Sequence, residues 1–208
     1  MFALVNKSDN SITQTYSGKR GINIGENQYP QTIFTLWSEA ERNAIDIYTI
    51  EIDESKRKSE EWYINTNITY AFDGSKVTGS YGDATAKAHA DTKWTQSEID
   101  AGKAPEGADT DTVKDEGLKT VLIRQVKSQA QNELNKTDWY VVRKTEEDVA
   151  IPSAITTHRK AVRTKQAEME TAITNASDTP ALETLYTYTK QEDGSVTRPL
   201  GELPTLED

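Results

Sequence analysis

The chain has 208 residues, a formal net charge of −10, two histidines and no cysteine. This excludes disulfides and thiolate chemistry, leaves too few histidines for a histidine-based metal centre, and opposes attraction to nucleic-acid backbones, whose neutralisation needs clustered Lys and Arg. Leu, Ile, Val and Phe supply only 38 residues, which points to a thin core in a molecule that completes its buried surface against partners or copies of itself.

Phe2 to Asn6 and Ser11 to Ser17 read as a first hairpin around the polar turn Lys7-Ser8-Asp9-Asn10. Gly18, Gly21 and Gly25 follow in a loop whose spacing fits neither a dinucleotide fingerprint nor a Walker loop. Ser38 and Glu41 have the spacing of a capping box, predicting a short helix over 39–44. Ile47 to Ile52 is β-branched and aromatic and reads as a strand. Alternation over Trp62 to Phe72 predicts a long strand with Trp62, Ile64, Thr66, Ile68 and Tyr70 on one face, paired through Asp73-Gly74-Ser75 with Val77 to Tyr81.

Composition then shifts to Ala, Asp, Lys, Gly and Pro between Gly82 and Ala108, with a second capping box at Thr95 and Glu98. Thr112 is a candidate cap for a helix on which Leu118, Leu122, Val126, Ala130 and Leu134 recur every four positions, diluted by Gln129 and Glu133. Trp139, Tyr140, Val141 and Val142 form an aromatic, β-branched corner. Pro152 then opens a second helix with Ile155, Val162, Met169 and Ala176 at heptad spacing. His158 sits within that stripe and reads as a packed or half-exposed helix residue. Asp178-Thr179-Pro180 starts a short helix to about Tyr186, and the stretch from Lys190 reads as an extended arm.

The fold class expected is α+β: a small antiparallel β unit with one short helix over 1–82, a linker over 83–109, a helical hairpin over 110–188, and a C-terminal arm over 189–208. No apolar run nears the roughly 20 residues of a membrane span, and Met1 to Val5 runs straight into polar residues, so a soluble product made in the cytosol is expected.

No catalytic residue, cofactor site or metal site is assigned. The acidic runs Glu51-Ile52-Asp53-Glu54 and Glu146-Glu147-Asp148 lack the apolar surroundings that tune a carboxylate for acid or base work. Trp139 and Tyr140 have two readings, a plug between the helices or a docking surface with Arg143, Arg159 and Arg163, since Trp, Tyr and Arg most often carry interface energy. A second class of reading takes Trp62, Tyr63 and Tyr70 as an exposed platform for carbohydrate, in a binding or hydrolytic module.

The run Leu134 to Arg143, with its Thr137-Asp138-Trp139 corner, followed by IPSAITTHRKAVR with Arg159, Ala161 and Arg163, resembles the C-terminal signature of bacteriophage tail assembly chaperone-like and tail-fibre-associated proteins. MFALVN, the NQYP step and LWSEAERNAIDIY are similar to the front of such proteins. The resemblance implies a non-enzymatic protein made in the host cytoplasm and working in tail or tail-fibre assembly, either retained in the virion tail or leaving as a chaperone. Its partners are then other tail or tail-fibre proteins, in multiple copies, with no nucleic acid and no membrane.

Overall fold

The computed structural model describes residues 1–206 and divides into two units, Met1–Thr85 and Ala86–Asp208. In chain order the first holds β1 (Phe2–Asn6), β2 (Ser11–Tyr16), β3 (Ile22–Ile24), β4 (Asn27–Tyr29), a 3-10 turn (Gln31–Phe34), α1 (Glu39–Asn43), β5 (Ile47–Asp53), β6 (Tyr63–Ile64), β7 (Thr69–Phe72) and β8 (Val77–Ser80). β9 (Thr85–Ala86) lies at the division. The second unit holds β10 (Thr92–Lys93), α2 (Gln96–Asp100), β11 (Val113–Asp115), α3 (Leu118–Asn135), α4 (Asp138–Glu147), α5 (Ser153–Asn175), α6 (Thr179–Tyr186), β12 (Thr189–Lys190) and β13 (Val196–Thr197). The class is α+β, as expected.

The first unit is organised by β1, which carries apolar side chains on both faces because strand residues alternate. Its Ala3 and Val5 bury with Tyr48, Ile50, Phe72 and Val77 on one side. Phe2 and Leu4 pack on the other with Ile47 against Ile22, Ile33 and Phe34. The strand order is β2-β1-β5-β8-β7, and the outer strands β2 and β7 also touch, so the sheet curls around its first face. The β3–β4 hairpin, the 3-10 turn and neighbouring Trp37 cover the second. One pairing departs from the antiparallel pattern expected: β5 and β8 run parallel, with Ile50 opposite Val77. The Ser38–Glu41 capping box forms, and Glu41 Oε2 accepts from Ser38 N at 2.7 Å.

The long strand expected over 62–72 is broken. Asn65 makes a two-way bond with the backbone of Lys58, accepting at 2.9 Å and donating at 2.8 Å, while Thr66 Oγ1 accepts from Gly82 N at 2.6 Å. These side-chain bonds replace a sheet ladder through that stretch. β7 resumes at Thr69 and turns through Asp73, whose carboxylate accepts from the N–H groups of Lys76 and Ser75; these bonds hold its pKa down to about 2.

In the second unit, Thr95 and Glu98 form the other capping box, and α2 stands between the paired strands β10 and β11. Within the linker expected over 83–109, residues 85–86, 92–93 and 96–100 form secondary structure. Gly117, not Thr112, precedes α3; a Cβ at Gly117 meets the carbonyl carbon of Ala90 at 2.2 Å, so only glycine fits. The amides of Leu118 and Lys119 donate to Ala88 O and His89 O, and Gly117 N donates to Asp91 Oδ1, which satisfies the start of α3 although Gly117 has no side chain to cap it.

α3 and α5 run antiparallel: Lys119 near the start of α3 donates to Thr174 O near the end of α5, and Arg159 near the start of α5 reaches Leu134 O. Leu122, Val126, Ala130 and Leu134 are buried on one helix, and Ile155, Val162, Met169 and Ile173 on the other. Fully burying such a side chain is worth about 1.5–3 kcal/mol, so this seam is the main apolar contribution of the unit. α6 is capped by Asp178, which accepts from Ala181 N at 2.8 Å, and it buries Leu182.

The C-terminal arm is docked. Leu200 is buried and its N–H donates to Leu185 O; Leu203 packs against Ala130, Leu134 and Val162; Leu206 N donates to Glu133 Oε1 at 3.1 Å. The last two residues of that arm, 207–208, lie outside the described residues.

Candidate interaction site

The stretch expected as an aromatic, β-branched corner is itself a helix, α4, joined to α3 by Lys136 and Thr137 alone. Trp, Tyr and paired Val favour strands in isolation, but no strand is offered for them to pair with here. Thr137 is completely buried, and its hydroxyl donates to Leu134 O at 2.9 Å. Across from it, Arg159 Nη1 lies 2.8 Å from Leu134 O, 2.7 Å from Thr137 Oγ1 and 2.8 Å from Asp138 Oδ1. The Arg159 side chain is 11% exposed. One guanidinium therefore ties the end of α3, the turn and the start of α4 to α5.

Trp139 does not plug the corner. Its side chain is 51% exposed, because the small Thr137 fills the space between the helices and the first turn of α4 aims the ring outward. The rings of Trp139 and Tyr140 lie against each other, tilted by 31° with centroids 3.8 Å apart, and the Arg143 guanidinium lies 5.1 Å from the first and 5.9 Å from the second. Val141 and Val142 are exposed beside them. Arg163 is exposed on α5, outside the lock, with no ion-pair partner among the described residues. Of the five residues singled out in the sequence, Arg159 is thus the structural tie, Trp139, Tyr140 and Arg143 form one surface cluster, and Arg163 joins neither.

A second polar knot lies next to the lock. Glu133 and His158, the residues that dilute the two apolar stripes, are both buried. His158 Nε2 is 3.1 Å from Glu133 Oε1, at ion-pair distance without hydrogen-bond geometry. Lys136 Nζ meets the other oxygen at 2.5 Å. The Lys136 ammonium holds the Glu133 carboxyl below its usual range, with smaller help from the Leu206 N–H and His158, against the opposing effect of burial. A polar residue on each of two facing apolar stripes was the signal in the sequence that these two meet.

The platform of exposed rings needed for carbohydrate does not form: Trp62 and Tyr63 are 4% and 5% exposed. A concave patch lined by Gln14, Tyr16, Gly18, Arg20 and Asn23 brings no pair of carboxylates together. Among the described residues, no group of three or more His, Asp or Glu is placed to hold a metal ion, and no helix is long and apolar enough to cross a membrane. Comparison with known proteins gives no match, whether to a family model, a curated protein or a solved structure.

Proposed function

We propose that this chain is a non-enzymatic accessory protein of bacteriophage tails that works through protein contacts in tail or tail-fibre assembly and stays in the virion tail. The observation that carries the reading is the division of labour at the Thr137-Asp138-Trp139 corner. Thr137 is buried against Arg159 and the half-exposed Asp138 pairs with it, while Trp139 stands outward beside Tyr140 and Arg143. These are the positions on which the resemblance to tail assembly and tail-fibre-associated proteins rests. A cluster of an exposed Trp with a half-buried Tyr and Arg on a braced helix has the composition of an interface hot spot.

The partners in this reading are other tail or tail-fibre proteins. A net charge of −10 argues against nucleic acid as a partner. Mass spectrometry of purified particles tests the reading: the chain is expected among the tail components. Its absence from particles, with presence in assembly intermediates, favours a transient chaperone; absence from both defeats the proposal. Trp139→Ala removes an exposed side chain, so it is expected to keep the fold and lose incorporation.

A further inference from the structure

The C-terminal arm is fastened in two stages. As far as Glu202 it is tied at several points. Leu200 is buried and its N–H donates to Leu185 O. The Arg198 guanidinium lies over the Tyr186 and Tyr188 rings and pairs with Glu202, which also accepts from Tyr188 Oη at 2.6 Å. Beyond Glu202 the ties thin out. Among the described residues, 203–206 make one hydrogen bond to the rest of the chain, from Leu206 N to Glu133 Oε1 at 3.1 Å, and Leu203 packs against Ala130, Leu134 and Val162. Pro204 has no N–H to add. A segment so lightly held can open while the structure beneath it stays folded.

The carboxylate that holds Leu206 is engaged from two other elements. Lys136, just past the end of α3, meets Glu133 Oε2 at 2.5 Å, and His158 Nε2 of α5 lies 3.1 Å from Oε1. These are the titratable groups that face it among the described residues; Glu202 of the arm is paired with Arg198. Lys136 and His158 belong to the helical body, so they act on Glu133 whether the arm is down or lifted, and the burial of Glu133 against His158 in the seam also persists. What the arm alone adds is the Leu206 N–H, which bonds a carboxylate more strongly than a neutral carboxyl. Docking of the arm and ionisation of Glu133 therefore favour each other.

We propose that residues 203–206 are an acid-released strap: the ionised Glu133 carboxylate holds them over the α3–α5 seam, and its protonation lets them lift beyond Glu202, baring Ala130, Leu134 and Val162. The device stands apart from the tail reading and needs no partner. Lys136, and then the Leu206 N–H and His158, hold the Glu133 carboxyl below its ordinary range against the effect of burial. The strap is accordingly down at neutral pH and is lost as pH falls below the ordinary carboxyl value, about 4.3.

Amide exchange followed by NMR on the full chain from pH 7 to pH 3 tests this, with amides of α3 and α5 as the internal reference. Protection of the Leu206 amide is expected to fall about tenfold, the difference between a charged and a neutral acceptor, while Val126 and Val162 keep theirs. Glu133→Gln, neutral throughout, is expected to show the lower protection already at pH 7 and no further fall. Leu203→Ala weakens docking without touching the carboxylate; it is expected to lower protection at every pH and to keep the fall. Leu206 protection that is constant with pH, that falls in step with the helix amides, that keeps its pH dependence in Glu133→Gln or that loses it in Leu203→Ala overturns the proposal.

Discussion

In the first unit one strand, β1, is apolar on both faces and packs apolar side chains to either side, Ala3 and Val5 to one, Phe2 and Leu4 to the other. In the second unit the two long helices each carry a polar residue inside the buried stripe, and the elements around them are tied by single polar bonds reaching far along the chain. Arg159 joins the end of α3 to α5, Glu133 holds the backbone of Leu206, and Thr179 Oγ1 donates to Lys87 O at 2.6 Å. The contrast teaches that a thin supply of large aliphatic side chains has been spread unevenly. Where apolar area is short, polar atoms with assigned partners take over the task of fixing geometry, because an unpartnered buried group is costly.

The sharpest way to break the comparison is a cavity in the first unit. Ile47→Ala, at a fully buried site, is expected to cost about 2–5 kcal/mol, read by chemical denaturation, with the transition of the second unit unmoved. Next is Arg159→Met, which keeps the stem but leaves Thr137 Oγ1 and Asp138 without their donor. A loss of about 1–3 kcal/mol is expected, seen in the helical signal, and a loss below that range shows that α4 is braced by something other than this guanidinium.

Glu133→Gln sharpens the contrast through pH. The folded-state pKa of Glu133 is lowered, so its contribution is present above the unfolded carboxyl value, about 4.3, and is lost as pH falls below it. The wild-type second unit is therefore expected to lose stability on acidification more steeply than the variant, measured by urea denaturation from neutral pH downward. The smallest effect is local. Glu98 is held to about 2, chiefly by Lys114 and then by the Thr95 backbone and hydroxyl; the Thr95 amide resonance is expected to shift only as pH drops from about 4 toward 2. A shift centred at the ordinary carboxyl value removes the capping box in solution.

Different features of the two units are legible in the sequence. Capping boxes at Ser38 and Thr95 were legible because their bonds lie within three residues, and the heptad of Ile155, Val162 and Met169 because helical periodicity is local. The parallel pairing of β5 with β8 was not, since strand direction is decided by where distant segments meet. The break at Asn65 and Thr66 was hidden because their bonds go to Lys58 and Gly82, outside any alternation pattern. At the candidate site, the sequence leaves Trp139 open between a plug and a docking surface, because aromatic size argues for burial and nothing local marks the much smaller Thr137 as the residue that fills the corner. Leu200 and Leu203 sat among Gly, Pro and Glu, and nothing local marked them as the cover of the helical seam.

The hydroxyl bond from Thr179 to Lys87 closes a loop of 92 positions, and it sets an order of events during synthesis. The first unit has every strand of its five-stranded sheet once residue 80 is out of the ribosome. The second has to wait for Thr179, Leu200 and Leu206 before its opening segment and its helical seam are covered. For that interval, at translation rates of about 5–20 residues per second, a finished first unit is carried on a nascent chain whose α3 seam is still bare.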